Sequence, residues 1–243
     1  MRAWRVHELA AGATFRLVRG MAPLPPALDA EVDRIWAAAQ VRADGKLFNG
    51  RVFSADVITP HLVCGHWTEF RRIVAQMNRH ELFAVIGARP LAVGGVIRGP
   101  DGVIFGRRPA RAVYQAGEWQ LPPAGSVDPG VGRPDGTVDV VAQFLVELGE
   151  ELGMSSADVH DPRPLCIVEH EGSHVLDLGI AATTHLTAAE IRARHAAGGN
   201  AEYDPLAFVP IPDVPAFIEG GGTLMNLQAP IFLRRAGVLK GEV

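Results

Sequence analysis

W-Q-L-P-P-A-G-S-V-D-P-G (119–130), a loose loop, and V-D-V-V-A-Q-F-L-V-E-L-G-E-E-L-G-M (138–154) make up the stretch that decides the fold. Its second half predicts one amphipathic helix from about Val138 to Leu152. Val141, Phe144, Leu145, Leu148 and Leu152 recur there at three- and four-residue spacing. Gly153 stands where a left-handed cap would end the helix. Glu147 and Glu151, four apart, share one face, and Glu150 is three from Glu147. Carboxylates so placed repel one another in a plain helix by a few tenths of a kcal/mol, and a divalent cation reverses the sign. Alone, a Glu pair near a helix end reads as a solvated face. Upstream, however, L-P-P-A-G is a rigid turn whose glycine lets backbone groups approach a metal or phosphate closely. Strand, turn, loop and Glu-rich helix in series therefore point to a clamp for a metal ion and a diphosphate.

The same run resembles the Nudix box of the Nudix hydrolases, G-x5-E-x7-R-E-U-x-E-E-x-G-U with U aliphatic. Gly125 is similar to its opening glycine, and Glu147-Leu148-Gly149-Glu150-Glu151-Leu152-Gly153-Met154 matches its tail throughout. Two positions depart from the pattern: Val131 stands where the first glutamate belongs and Val146 where the arginine belongs. Gly125 to Glu147 is also seven residues too long, with V-G-R-P-D-G-T bulging between turn and helix. In the family the missing Glu and Arg brace the loop against the helix. Losing both removes a buried pair cleanly, whereas losing one strands a charge. Val131 and Val146 are accordingly expected on apolar surfaces.

Composition bounds the classes. At 243 residues the chain is long for one domain and short for two full-sized ones. Apolar residues make up 48% and charged residues 21%, as in an ordinary soluble protein with a sizeable core. The net charge is −4 and no Lys/Arg run resembles a nucleic-acid footprint, so no nucleic-acid partner is expected. Only two cysteines, Cys64 and Cys166, occur, which suits a reduced, cytoplasmic protein. M-R-A-W-R-V-H-E-L lacks a signal-peptide core, and the apolar stretch from Phe83 to Ile97 is interrupted by Arg89-Pro90 and too short to span a bilayer. No membrane partner is expected, and oligomeric state is not legible.

Outward from the box, residues 1–82 read as a small α+β extension. Trp4–Leu9 and Thr14–Arg19 suggest a hairpin, Ala27–Val41 a helix, Leu47–Ile58 a strand pair turning at Asn49-Gly50, and Trp67–Met77 a second helix. His61, Cys64 and His66 lie close together but lack a fourth ligand or zinc-finger spacing, which makes them a polar loop. From Glu81 the chain turns β-rich, with strands expected at Phe83–Gly87, Leu91–Arg98 and Val103–Arg108, the last two joined by Gly99-Pro100-Asp101-Gly102. Arg107 and Arg108 are either solvated strand-end charges or phosphate contacts, since a guanidinium fork fits phosphate oxygens. Val113 to Gln120 leads into the box, where Trp119 is either core or a stacking platform for a base. Past the box, Leu165–Glu171 and His174–Thr184 suggest a hairpin, Thr187 and Glu190 a capping box opening a helix, and Ala207–Ile211 a strand. A final helix is expected over about Leu224–Arg235, interrupted by Pro230.

The residues suggest an α/β/α sandwich over 83–243, and the resemblance implies the Nudix mixed sheet between helices. G-R-R-P-A-R-A-V-Y-Q-A-G-E-W-Q-L-P-P-A-G, the long inserted loop, E-H-E-G-S and L-T-A-A-E-I-R-A-R-H-A-A-G-G-N-A-E further resemble the branch that hydrolyses UDP-glucose and UDP-galactose. That branch also carries an N-terminal α/β extension and an expanded box loop. The implied activity is Mg²⁺- or Mn²⁺-dependent cleavage of a nucleoside-diphosphate-linked small molecule, foremost a UDP-sugar, to UMP and a sugar 1-phosphate. The alternatives are an ADP-ribose, NADH or coenzyme A hydrolase, or a non-catalytic ligand-binding domain. Expected metal ligands are Glu147, Glu151, Glu150 and the Ala124 carbonyl, and Glu150 or Glu202 is the base. Arg107, Arg108, Gly125 and Trp119 are the expected substrate contacts. The extension is expected either to wall the base or sugar end of the site or only to stabilise the fold or mediate self-association.

Overall fold

A computed structural model describes residues 4–110 and 115–241. Contacts divide the chain into two units that interleave in sequence: Met1–Ala92, Ser126–Val140 and Ile167–Leu176 form the first, and Val93–Gly125, Val141–Cys166 and Asp177–Val243 the second. Among the described residues no helix is long and apolar enough to cross a membrane.

The first unit holds β1 (Trp4–Glu8), β2 (Thr14–Leu17), α1 (Pro26–Arg42), β3 (Arg51–Ile58), β4 (Leu62–Glu69), α2 (Phe70–Asn78) and a single turn of helix, α3 (Phe83–Ile86). A small sheet runs β2-β4-β3, parallel across β2/β4 and antiparallel across β3/β4. Several local expectations change here. Strands β1 and β2 do not pair with each other, because alternation marks a strand without choosing its neighbour, and Thr14 lies beside Leu62 instead. The Asn49-Gly50 pair makes no hairpin turn. The Gly50 carbonyl accepts from Phe70 N–H at 2.9 Å and Asn49 Oδ1 from Arg71 N–H at 2.8 Å, so both residues serve the start of α2. Trp67 and Thr68 stay in β4, paired with Phe53 and Val52, so the helix begins only at Phe70. Phe83–Ile86 coils because Gly87, at φ 61°, closes its turn on the Phe83 carbonyl, and so short an apolar run fits either period. His66 is a buried strand residue bonded to Asp56 Oδ2 at 3.1 Å, not part of a loop.

The extra residues of the box belong to this unit. Val127 donates to the Leu91 carbonyl and accepts from Phe53 N–H, Leu17 N–H bonds the Gly136 carbonyl, and Val138 N–H bonds Phe15, all at 2.8–2.9 Å. Val131 is buried, 8% exposed. The insertion thus satisfies its backbone on β2 and β3, as an internal segment must. Also in this unit, Glu169 accepts from Arg89 Nη2 and His7 Nε2 at 2.8 Å each, with His174 at 3.4 Å. Burial would raise the Glu169 pKa, but the Arg89 and His7 hydrogen bonds and the Arg89 charge outweigh it and hold the group at about 2.

The second unit carries most of β5 (Leu91–Gly99), β6 (Gly102–Arg107), β7 (Trp119–Gln120), β8 (Ala124–Ser126), α4 (Val140–Leu152), β9 (His160–His170), β10 (Leu176–Thr183), α5 (Ala188–Gly198), β11 (Leu206–Val209), α6 (Val214–Gly221) and α7 (Ala229–Arg235). Strand order is β9-β10-β5-β6-β11, with β7 on β6 and β8 on β5. Adjacent glycines show the layering. A Cβ on Gly95 would lie 3.0 Å from the Phe144 ring of α4, while one on Gly94 would meet Phe232 of α7 at 3.4 Å. Neighbouring residues of a strand face opposite ways, so α4 covers one face and α7 the other. The result is a mixed α/β sandwich. Phe105, Phe144, Leu148, Leu152 and Phe232 are its buried centre. The Thr187/Glu190 capping box opens α5 as its spacing predicts. At the chain's end, Pro230 lies in the first turn of α7, where its missing N–H costs nothing, instead of interrupting a longer helix; the preceding α6 has no strong periodic signal.

Candidate metal and substrate site

Helix α4 delivers the acidic residues. Phe144, Leu148 and Leu152 are fully buried and fix its rotation, which leaves Glu147 half-buried, Glu151 buried and Glu150 exposed. Gly153, at φ 64°, closes the helix with its N–H on the Gly149 carbonyl at 3.1 Å and Met154 N–H on Leu148 at 3.3 Å. All three glutamates stand near the negative end of the helix dipole, with no basic residue in the last turn. That end favours cations and penalises carboxylates.

The P-P-A-G turn lies against the same helix. Gly95 N–H donates to the Pro123 carbonyl at 2.8 Å, which holds the turn on β5. Ala124 N–H donates to Glu151 Oε2 at 2.8 Å. A Cβ on Gly125 would sit 2.0 Å from the carboxyl carbon of Glu147, a separation no pair of atoms tolerates. Only glycine leaves the Glu147 carboxylate in this position, for reasons of space, since its φ is not unusual. Gln143, one turn before Glu147, donates to Glu147 Oε1 at 2.8 Å and orients that carboxylate.

A second element completes the cluster. Glu202 and Tyr203 precede β11, and Glu202 is ion-paired with Arg108. Tyr203 is fully buried against Gly106, where a Cβ would lie 2.5 Å from its ring, and its hydroxyl donates to Gln120 Oε1 at 3.4 Å. Burial pushes the Glu151 carboxyl up to about 9, opposed by the Ala124 N–H and raised further by the charges of Glu147 and Glu202, with Arg108 countering. Burial likewise raises the Tyr203 phenol well above its ordinary range.

The expected site residues thus separate. Glu147, Glu151, Ala124, Gly125, Arg108 and Glu202 come together, while the Glu150 side chain faces solvent. Arg107 and Trp119 go elsewhere. In the β6/β7 register Gly106 pairs with Gln120 and Arg107 with Trp119, so alternation sends these two pairs to opposite faces. Gly106, Gln120 and Tyr203 share the α4 side. On the α6/α7 side the Arg107 guanidinium stands 6.0 Å over the Trp119 ring, and Phe217 packs edge-on to Trp119 and also touches Phe105. Val146 is 45% exposed, which corrects the expectation of an apolar surface: the arginine position of the box faces water in this chain. Gln143, Gln120 and Tyr203 were not singled out by sequence, although Gln143 stands four residues before Glu147 on the same face and Tyr203 adjoins Glu202.

Among the described residues no three His, Cys, Asp or Glu side chains form a ready-made coordination group. Glu147 and Glu151 offer two carboxylates, which is what Mg²⁺ normally takes from protein before water and phosphate oxygens complete its shell. The donors are oxygens, the helix end is negative, and burial raises the Glu151 carboxyl, so added positive charge would favour its ionised form. This cluster fits a hard divalent cation.

No protein-family model matches the chain, and neither does any curated protein. Among solved structures it is similar to Tm1382, a putative Nudix hydrolase, at 11% identity over 84% of this chain and 96% of that one, with a TM-score of 0.46. It is also similar to DR0079 from Deinococcus radiodurans, at 15% identity over 59% of this chain and 81% of that one, with a TM-score of 0.43. Shewanella oneidensis NrtR, solved with a 27mer DNA, is similar at 15% identity over 60% of this chain and 59% of that one, with a TM-score of 0.40. All three scores lie below 0.5, so the functional reading rests on this chain's own residues.

Proposed function

We propose that the chain is a metal-dependent pyrophosphohydrolase of the Nudix type, cleaving a nucleoside-diphosphate-linked small molecule, foremost a UDP-sugar, to UMP and a sugar 1-phosphate. One observation carries the reading. The P-P-A-G turn and the E-L-G-E-E helix, twenty-two positions apart from Gly125 to Glu147, meet through Ala124 N–H on Glu151 and the bare Gly125 backbone on Glu147. A solvated acidic helix face needs neither contact.

Glu147 and Glu151 would hold Mg²⁺ or Mn²⁺, with the Ala124 carbonyl as a further oxygen donor. Bound there, the metal supplies positive charge to the diphosphate and lowers the pKa of a water. Arg108 faces the same cluster and is the guanidinium placed to meet phosphate oxygens. Its pairing with Glu202 orients that carboxylate to accept a proton from attacking water, a role that solvent-facing Glu150 is not placed to take. Gln143 keeps Glu147 pointed at the turn. Replacing Glu147 by Gln should lower turnover of UDP-glucose by about 10²–10³-fold while melting stays near wild type. Wild-type turnover in that variant would reject the metal site. A panel of UDP-glucose, UDP-galactose, ADP-ribose, NADH and coenzyme A, each with and without Mg²⁺, tests the substrate. Preference for ADP-ribose or coenzyme A would reject the UDP-sugar reading alone, and no metal-dependent turnover on any of them would reject the enzyme.

A further inference from the structure

Three strands of the second unit, β9, β10 and β5, lie side by side, and a groove of about 200 Å³ opens on them beneath the end of α7. One water needs only about 10–15 Å³ of such space, so the groove has room for a small molecule. Its floor is apolar, with Val96 and Ala181 from the sheet and Val238 from the chain just past α7. Arg98 of β5 and Arg163 of β9 stand at its sides, and Thr183 of β10 lies between them. Strand β10 lies between β5 and β9, so the two arginines flank it from either side. Two guanidinium forks from those positions can converge on one anion.

Neither arginine has a hydrogen bond or ion pair from its side chain among the described residues. Several other described arginines are committed to carboxylates, Arg19 to Asp56, Arg71 to three carboxylates, Arg89 to Glu169, Arg108 to Glu202 and Arg194 to Asp158. Asp161 also borders the groove yet is bonded to neither. The two guanidinium groups outnumber the one carboxylate of the lining, so the groove attracts an anion, and their paired N–H forks suit the several oxygens of a phosphate. The groove is also separate from the acidic cluster. Val96 and Arg98 share the parity of Gly94, and Thr183 that of Gly179, and both glycines touch Phe232 of α7. The groove therefore belongs to the α7 face of the sheet and the glutamates to the α4 face.

We propose that this groove binds a phosphate dianion between Arg98 and Arg163, with the Thr183 hydroxyl as an added donor and the apolar floor under any organic group the phosphate carries. The inference does not depend on the hydrolase reading. The test is titration of ¹⁵N-labelled full-length protein with inorganic phosphate and, separately, with glucose 1-phosphate, following the Thr183 and Val238 amides. Saturable shifts of both amides are expected. Arg98→Gln and Arg163→Gln should each weaken binding about tenfold, and the double variant should abolish it. Both arginines are exposed, so the variants should fold normally. Tighter binding of glucose 1-phosphate would identify a phosphomonoester as the ligand, and equal binding would identify free phosphate. The absence of shifts at those amides with either anion, or unchanged affinity in the double variant, would overturn the proposal.

Discussion

Gly125→Ala separates the site from the fold more cleanly than any other single change. The added methyl would start 2.0 Å from the carboxyl carbon and Oε1 of Glu147 and 2.4 Å from Oε2. Ordinary contact begins near 3.4 Å, so the carboxylate must retreat by more than an ångström. Glu147 can retreat, because the colliding atoms are the tip of a half-buried, flexible side chain. The cost to the fold is one strained rotamer and the Gln143 hydrogen bond, about 1–3 kcal/mol together. In a chain of 243 residues that lowers the melting temperature by roughly 2–10 °C. The cost to chemistry is larger, since misplacing a positioned group by about 1 Å can remove 10²-fold of rate. The assay pairs thermal melts with initial rates across a Mg²⁺ titration. The expected variant is folded, about a hundredfold slower, and needs more Mg²⁺ for half-maximal rate. Wild-type turnover and Mg²⁺ dependence in Gly125→Ala would refute the argument that this glycine makes room for a ligand carboxylate.

The opposite outcome is expected at Gly106→Ala, whose Cβ would meet the ring of fully buried Tyr203 at 2.5 Å; no free tip can yield, and urea denaturation should show a loss of about 1–3 kcal/mol or more. Val146→Arg should change stability by no more than about 0.5 kcal/mol, because the position is 45% exposed, and a large drop in its melting temperature would show the position to be covered. For pH, the Glu169 carboxyl is held at about 2 against an ordinary 4.5, so its contribution is complete above about pH 4.5 and lost as pH falls through 2. Allowing for screening, this is roughly 2–3 kcal/mol, and the stability gap between wild type and Glu169→Gln should close as pH falls from 7 toward 2. A gap that stays constant over that range would rule out the Arg89–His7 cage as its source.

The helix at 140–152, its glycine cap and the side on which its glutamates lie follow from residue spacing alone, because a 3.6-residue period is a local property. Spacing also indicates most strands and the capping box at Thr187, for the same reason. Partners are not local. Whether β2 pairs with β1 or β4, and whether Asn49-Gly50 turns a hairpin or opens α2, depends on backbone groups distant in sequence that compete for the same donors and acceptors. The inserted box residues are a long loop in sequence; only the pairing of Val127, Gly136 and Val138 with β2 and β3 gives them a structural role. Arg107 and Arg108 are equivalent on paper, and one step of strand alternation sends the first to Trp119 and the second to Glu202. The apolar character of Val146 says nothing of its surroundings, which the rotation of α4 against the sheet sets when Phe144 and Leu148 are buried. Sequence names the carboxylates, because helix periodicity groups them; tertiary structure decides which turn, arginine and tyrosine they meet, because those arrive from strands whose order no local pattern encodes.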